Sequence, residues 1–179
     1  MKLTEPLIRT YIDEAANVLK ECFPTFKKPI ISSIKITKAR SYWANIRKVG
    51  TNLYDIRVSN TFEEIEDSNL FRKRLLSCMI HEQIHTMYGC MNHGKMFKKR
   101  CATVNQKFPQ YDISSSTLGS EYGVKEIERP IRYIVRCENC GSESKYTRKP
   151  GIWAYVNKKN SPYTCCKCGR SYFIGIYLN

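Results

Sequence analysis

The chain has 179 residues, 42% of them hydrophobic, with 30 Lys+Arg against 16 Asp+Glu (a formal net charge of +14) and nine cysteines. That length allows one sizeable core, or a modest core plus a small metal-stapled module. No apolar run is long enough to span a membrane and the start Met1-Lys2-Leu3-Thr4-Glu5-Pro6 does not read as a signal peptide, so a soluble, cytoplasmic protein with reduced cysteines is expected, one that attracts polyanions.

Thr4-Glu5-Pro6 signals a helix start, and Leu7, Ile8, Tyr11, Ile12, Ala15, Leu19 and Cys22 recur at helical spacing up to Phe23-Pro24. From Pro29 the texture changes to three short β-like runs, Ile30 to Thr37, Tyr42 to Arg47 and Asn52 to Val58. In the third, Tyr54, Ile56 and Val58 alternate with Asp55 and Arg57, as in a half-buried antiparallel strand. The acidic cluster Glu63, Glu64, Glu66 and Asp67 lacks the glycine-centred loop of an EF-hand and suits the positive end of a following helix. That helix is predicted from about Ser68 to Tyr88, burying Leu70, Phe71, Leu75, Cys78 and Met79, with Gly89 as the residue that stops it.

The last two turns of this helix hold His81-Glu82-Gln83-Ile84-His85, and His93 follows eight residues after His85; these are the three histidines of the chain. Two imidazoles four residues apart on a helix sit about 6 Å apart along its axis on one face, so both can converge on one ion. This is the H-E-x-x-H arrangement, two neutral histidines for zinc and a glutamate as general base, with His93 as third ligand and a position left for water. A second helix follows His93-Gly94, signalled by Phe97, Cys101, Val104 and Phe108 and ended by Pro109, with Lys95, Lys98, Lys99 and Arg100 on its first turns.

Residues 111–130 are polar and read as a linker. Beyond it Ile131 to Arg136 alternates like a strand and runs into Cys137-Glu138-Asn139-Cys140-Gly141, answered after 24 residues by Cys165-Cys166-Lys167-Cys168-Gly169. Two C-x-x-C knuckles present four thiolates to one structural zinc, and an extended hairpin would absorb the long interval. The spacing favours Cys165 with Cys168 and leaves Cys166 spare; Cys22, Cys78, Cys90, Cys101 and Cys166 are expected to be reduced and packed. Residues 129–179 carry ten Lys+Arg and two Asp+Glu, interleaved with Tyr133, Tyr146, Trp153, Tyr155, Tyr163 and Tyr172. Such a mixture suits phosphates and unpaired bases, although in so small a module some of the aromatics must fill its core.

The run His81-Glu82-x-x-His85, a short loop, then His93-Gly94-x-x-Phe97-Lys98-Lys99, with a C-terminal cysteine-pair module, resembles the SprT-like family of zinc metalloproteases. The resemblance implies an α+β fold. A minimal zincin-like domain with a small antiparallel sheet and the H-E-x-x-H helix (1–110) would be followed by a linker (111–130) and a β-rich zinc ribbon (131–179). It implies one catalytic zinc on His81, His85 and His93, one structural zinc on Cys137, Cys140, Cys165 and Cys168, and Glu82 as the base of an endopeptidase. The substrates would be proteins associated with or crosslinked to DNA, so that the partners are DNA, protein substrates on it and no membrane, with a place at the nucleoid. The 52–58 strand would be the sheet edge to which substrate adds. No oxyanion stabiliser stands out, Tyr54 and Tyr88 being the nearest candidates. The rival expectation is a DNA-binding zinc protein with a structural or vestigial metal centre; a hydrolase of a non-peptide amide would use the same residues.

Overall fold

The computed structural model describes residues 1–114, 124 and 130–178, and the chain divides into two compact units, Met1–Glu126 and Ile127–Asn179. Of the expected 111–130 linker, residues 115–123 and 125–129 lie outside the described residues. The described residues form an α+β arrangement with three α-helices and two three-stranded sheets. None of these helices is long and apolar enough to cross a membrane.

In the first unit, α1 (Glu5–Cys22) begins where the Thr4 hydroxyl accepts the Leu7 N–H, and it buries Ile8, Tyr11, Ile12, Ala15, Ala16, Val18 and Leu19 along one stripe. Three strands follow, β1 (Ile30–Thr37), β2 (Ala44–Gly50) and β3 (Leu53–Ser59), in the spatial order β1-β3-β2. The sheet is not purely antiparallel: β2 and β3 form an antiparallel hairpin, turning where Asn52 takes a positive φ of 52°, but β1 runs parallel to β3. The physical reason lies in β3, which buries Tyr54, Ile56, Val58 and Ser59 where β2 buries only Ala44 and β1 no residue, so that β3 takes the centre and β1 is separated from β2. The expected edge strand, 52–58, is therefore central, and the edge nearest the histidines is β2.

Asp67 caps α2 (Ser68–His85), accepting the N–H groups of Asn69 and Leu70 at 2.8 Å. Of the other acidic residues before it, Glu63 accepts the Leu3 N–H and Glu64 pairs with Arg40. Ten of the eighteen residues of α2 are buried and they lie all round it, which makes it the central helix, packed against α1, β2 and α3. Leu70, expected inside, is 41% exposed. The helix stops at His85, earlier than predicted, because Thr86 turns back on it, its hydroxyl and N–H both bonding the Gln83 carbonyl. Gly89 does adopt a left-handed φ of 74°, but within the loop that follows, where it redirects the chain toward His93. The third helix, α3 (Lys95–Lys107), buries Phe97, Cys101 and Val104.

The second unit is a sheet of order β5-β4-β6, all antiparallel, with β4 (Tyr133–Cys137) between β5 (Glu143–Tyr146) and β6 (Phe173–Tyr177). Its fully buried core is small: Val135, Cys137, Cys165 and Phe173, with Tyr146, Ile152, Trp153 and Val156 packed around them. The long interval between the knuckles is not one hairpin; after β5 it continues through a single 3-10 turn, Gly151–Tyr155.

Leu75 is fully buried on α2 and Leu70 is largely in solvent. Leu75→Ala is expected to lower stability by about 2–5 kcal/mol and Leu70→Ala by no more than about 0.5 kcal/mol, as read from urea unfolding midpoints.

Candidate metal centres

α2 places His81 and His85 one turn apart, and the loop through Gly89 returns His93 to them. The three Nε2 atoms form a nearly equilateral triangle: 3.1 Å from His81 to His85, 3.2 Å from His85 to His93 and 3.1 Å from His93 to His81. Four donors at Zn–N distances near 2.0–2.1 Å in a tetrahedron stand about 3.3 Å apart, so the donor set fits such an ion closely. Two of the rings have their other nitrogen occupied. His81 Nδ1 lies 2.9 Å from the Ser114 carbonyl and His85 Nδ1 lies 2.6 Å from the Cys90 carbonyl. A carbonyl only accepts, so each Nδ1 carries the proton and each Nε2 presents a lone pair. Two lone pairs 3.1 Å apart with no proton between them repel unless a cation lies there. The three histidines can hold a metal ion.

Burial, reinforced by the neighbouring His85, pushes the His81 imidazolium down to about 3, and burial lowers that of His85 as well. Both rings are thus neutral at pH 7, the form that ligates a metal. Phe97, fully buried on α3, backs all three rings: it stacks on His85 at 4.5 Å and meets His81 and His93 edge-on at 4.8 Å. A sequence signal for this role was present, since Phe97 stands four residues after His93 in the first turn of α3, but only the fold shows that it touches His81 and His85.

Glu82 is 5% exposed, and its Oε2 accepts the Ile46 N–H of β2 at 2.9 Å. Burial raises its carboxyl to about 7, against the pull of the Ile46 N–H and the Arg74 guanidinium. The Ile46 contact crosses from sheet to helix and has no sequence signal. Beside Glu82, His81 and His93 lies a cavity of about 290 Å³ bounded by Tyr42, Trp43 and Arg74. Arg74, 8% exposed, lies with its guanidinium 4.8 Å from the Trp43 ring centre. Cys78 also lines the cavity, buried and with a thiol that burial pushes far up, a neutral wall residue. Neither tyrosine considered for the oxyanion lines this cavity: Tyr54 is buried with its hydroxyl toward the Thr86 carbonyl, and Tyr88 is 93% exposed.

In the second unit Cys137, Cys140, Cys165 and Cys168 bring their sulfurs within 4.8 Å of one another, a cluster that can hold a zinc ion. Cys137 lies 3.5 Å from Cys168, and Cys140 lies 3.7 Å from Cys165. Cys166 is exposed and outside the cluster, so it is not packed as expected, whereas Cys78, Cys90 and Cys101 are buried. Gly141 and Gly169 both take φ of 71°, which lets each knuckle turn back to its sheet. The Ser142 hydroxyl and the backbone N–H groups of Lys167 and Cys168 hold the Cys165 thiol down at about 6, favouring the thiolate a metal needs. Tyr133 packs against both Trp153 and Tyr177, and Tyr146 packs on the core, while Tyr163 and Tyr177 keep about half of their surface exposed, at 43% and 53%.

No model of a known protein family matches the chain, and no curated protein is significantly similar to it.

Cys165→Ser is expected to lose the metal of the second unit and with it that unit's fold, while Cys166→Ser keeps both, as read by metal analysis and circular dichroism. A pH dependence follows from Glu82. Its carboxyl is raised in the fold above the ordinary 4.5, so the stability it contributes is present below about pH 4.5 and is lost as pH rises through 7. In metal-free protein, Glu82→Gln should therefore gain roughly 3 kcal/mol on the wild type between pH 4.5 and pH 8. Urea titrations following Trp43 fluorescence in a Trp153→Phe background check this.

Proposed function

We propose that the chain is a zinc-dependent endopeptidase of SprT-like type, acting on proteins associated with or crosslinked to DNA and targeted there by a basic zinc ribbon. The observation that carries the reading is the triangle of three Nε2 atoms with a buried carboxylate on the adjacent helical residue and a cavity opening beside both. A purely structural site would need neither the carboxylate nor the cavity.

His81, His85 and His93 would hold the zinc, and the bound ion supplies a water of lowered pKa and polarises the scissile carbonyl. Glu82 does the proton work. Its Oε2 is fixed by the Ile46 N–H, which orients the carboxylate, and its other oxygen takes the proton of the attacking water and passes it to the leaving amine. Burial keeps bulk water from competing for that carboxylate. The substrate backbone adds as an extended strand along β2, the sheet edge that borders the helix, and a side chain enters the cavity against Trp43 and Arg74.

Support for the DNA partner is electrostatic. In the second unit Arg132, Lys145, Arg148, Lys149, Lys158, Lys159, Lys167 and Arg170 are all exposed. Arg136 is exposed too but is tied to Glu143 at 2.6 Å. Among the aromatics, Tyr163 and Tyr177 retain surface on which a base can stack.

The zinc-loaded protein is expected to cleave a DNA-bound basic protein in a DNA-dependent manner, followed on a gel. Glu82→Gln should lower the rate by roughly 10²–10⁴-fold while both zincs stay bound. A wild type that holds two zincs and binds DNA but cleaves nothing would leave a DNA-binding zinc protein as the reading.

A further inference from the structure

After α3 the chain folds back over the histidine cluster, and the side chains that fix this return take no part in the proposed reaction. The helix ends at Lys107, Pro109–Tyr111 makes one 3-10 turn, and Asp112 adopts a left-handed φ of 46° that reverses the chain. Asn105 then clamps the returning segment from both directions: its Nδ2 donates to the Ile113 carbonyl at 2.9 Å and its Oδ1 accepts the Ile113 N–H at 2.7 Å. Only an amide side chain can donate and accept in this way; a carboxylate of the same shape accepts alone. A second tie comes from α2, where the Ser77 hydroxyl donates to the Tyr111 carbonyl at 2.7 Å. Ile113 is 4% exposed, which anchors the segment in the core.

What these ties deliver is the next carbonyl, that of Ser114, 2.9 Å from His81 Nδ1. The partner of the non-ligating nitrogen sets both the tautomer and the tilt of a metal-binding imidazole. His85 finds its partner locally, in Cys90, five residues on. His81 depends on a carbonyl 33 residues away in sequence, which chain connectivity alone does not place.

We infer that Asn105, assisted by Ser77, is a positioning residue of the first metal centre, holding residues 111–114 so that the Ser114 carbonyl fixes the His81 ring with Nε2 toward His85 and His93. The inference rests on the reading of the three histidines as a metal site.

The test uses the full chain loaded with zinc and three variants, Asn105→Leu, Asn105→Asp and Ser77→Ala. Chelator competition reads the affinity of each zinc, and nitrogen-15 NMR of the imidazoles reads the His81 Nδ1–H and its exchange with solvent. The expected result is a roughly 10–100-fold loss of affinity at the histidine site, larger for Leu than for Asp. Faster exchange of the His81 Nδ1–H should accompany it, with the four-cysteine site unmoved as the internal control. If Asn105→Leu does not fold, Asn105→Asp and Ser77→Ala decide, since each removes only part of the hold. Variants that keep wild-type affinity and an unchanged His81 resonance, while the wild type binds two zincs, overturn this inference alone. A wild type that binds a single zinc, with content unaffected by His81→Ala, overturns the metal reading and this inference with it.

Discussion

Two imidazoles whose Nδ1 protons are already given to backbone carbonyls cannot share a proton between Nε2 atoms 3.1 Å apart, and this constraint organises the first unit. Bringing such groups together is unfavourable without a cation, so the surrounding fold must hold them against repulsion. It does so from three sides: α2 sets the spacing of His81 and His85, the loop through Gly89 returns His93, and Phe97 backs the rings from α3. Each side is part of the same hydrophobic core, so the energy that pins the histidines is the burial of the core itself.

The centrality of α2 also accounts for its polar residues. Arg74, Ser77, Glu82 and Gln83 are all buried on a helix that is otherwise apolar at its buried positions. Gln83 bonds across to the Ile12 carbonyl and ties α2 to α1, Ser77 reaches Tyr111, and Glu82 meets the edge of the sheet. Partners of this kind offset the cost of taking polar groups from water, so α2 is joined to α1, to β2 and to the turn at Pro109–Tyr111 by directed bonds as well as by packing. A site built on such an element is held more rigidly than one on loops.

The second unit solves a different problem. Its four buried core residues include two of the clustered cysteines, Cys137 and Cys165, so the candidate metal ligands are themselves part of the centre of the core. A module of this size gains too little from apolar burial to fold on that alone, and an ion held by the four clustered cysteines can supply the difference. Much of its aromatic content packs around that centre, leaving a positively charged surface with a few exposed rings.

How much of this was written in the sequence depends on the range of the interaction. The helix periods, the Thr4 and Asp67 region caps, the pairing of His81 with His85 and the two C-x-x-C knuckles are local, with spacings of two to four residues, and they are legible because one turn of backbone already brings the groups together. The sequence also left the choice between Cys165 and Cys166 open to a spacing rule, and burial separates them, one inside the cluster and the other in solvent. What local pattern does not carry is strand order and long-range contact. The alternation of Tyr54, Ile56 and Val58 marks a strand but not its central place, because order in a sheet is decided by which strand buries most. The bonds from Ile46 to Glu82, from Asn105 to Ile113 and from the Ser114 carbonyl to His81 join segments distant in sequence or separated by a chain reversal, and only the packed tertiary structure brings their partners within reach.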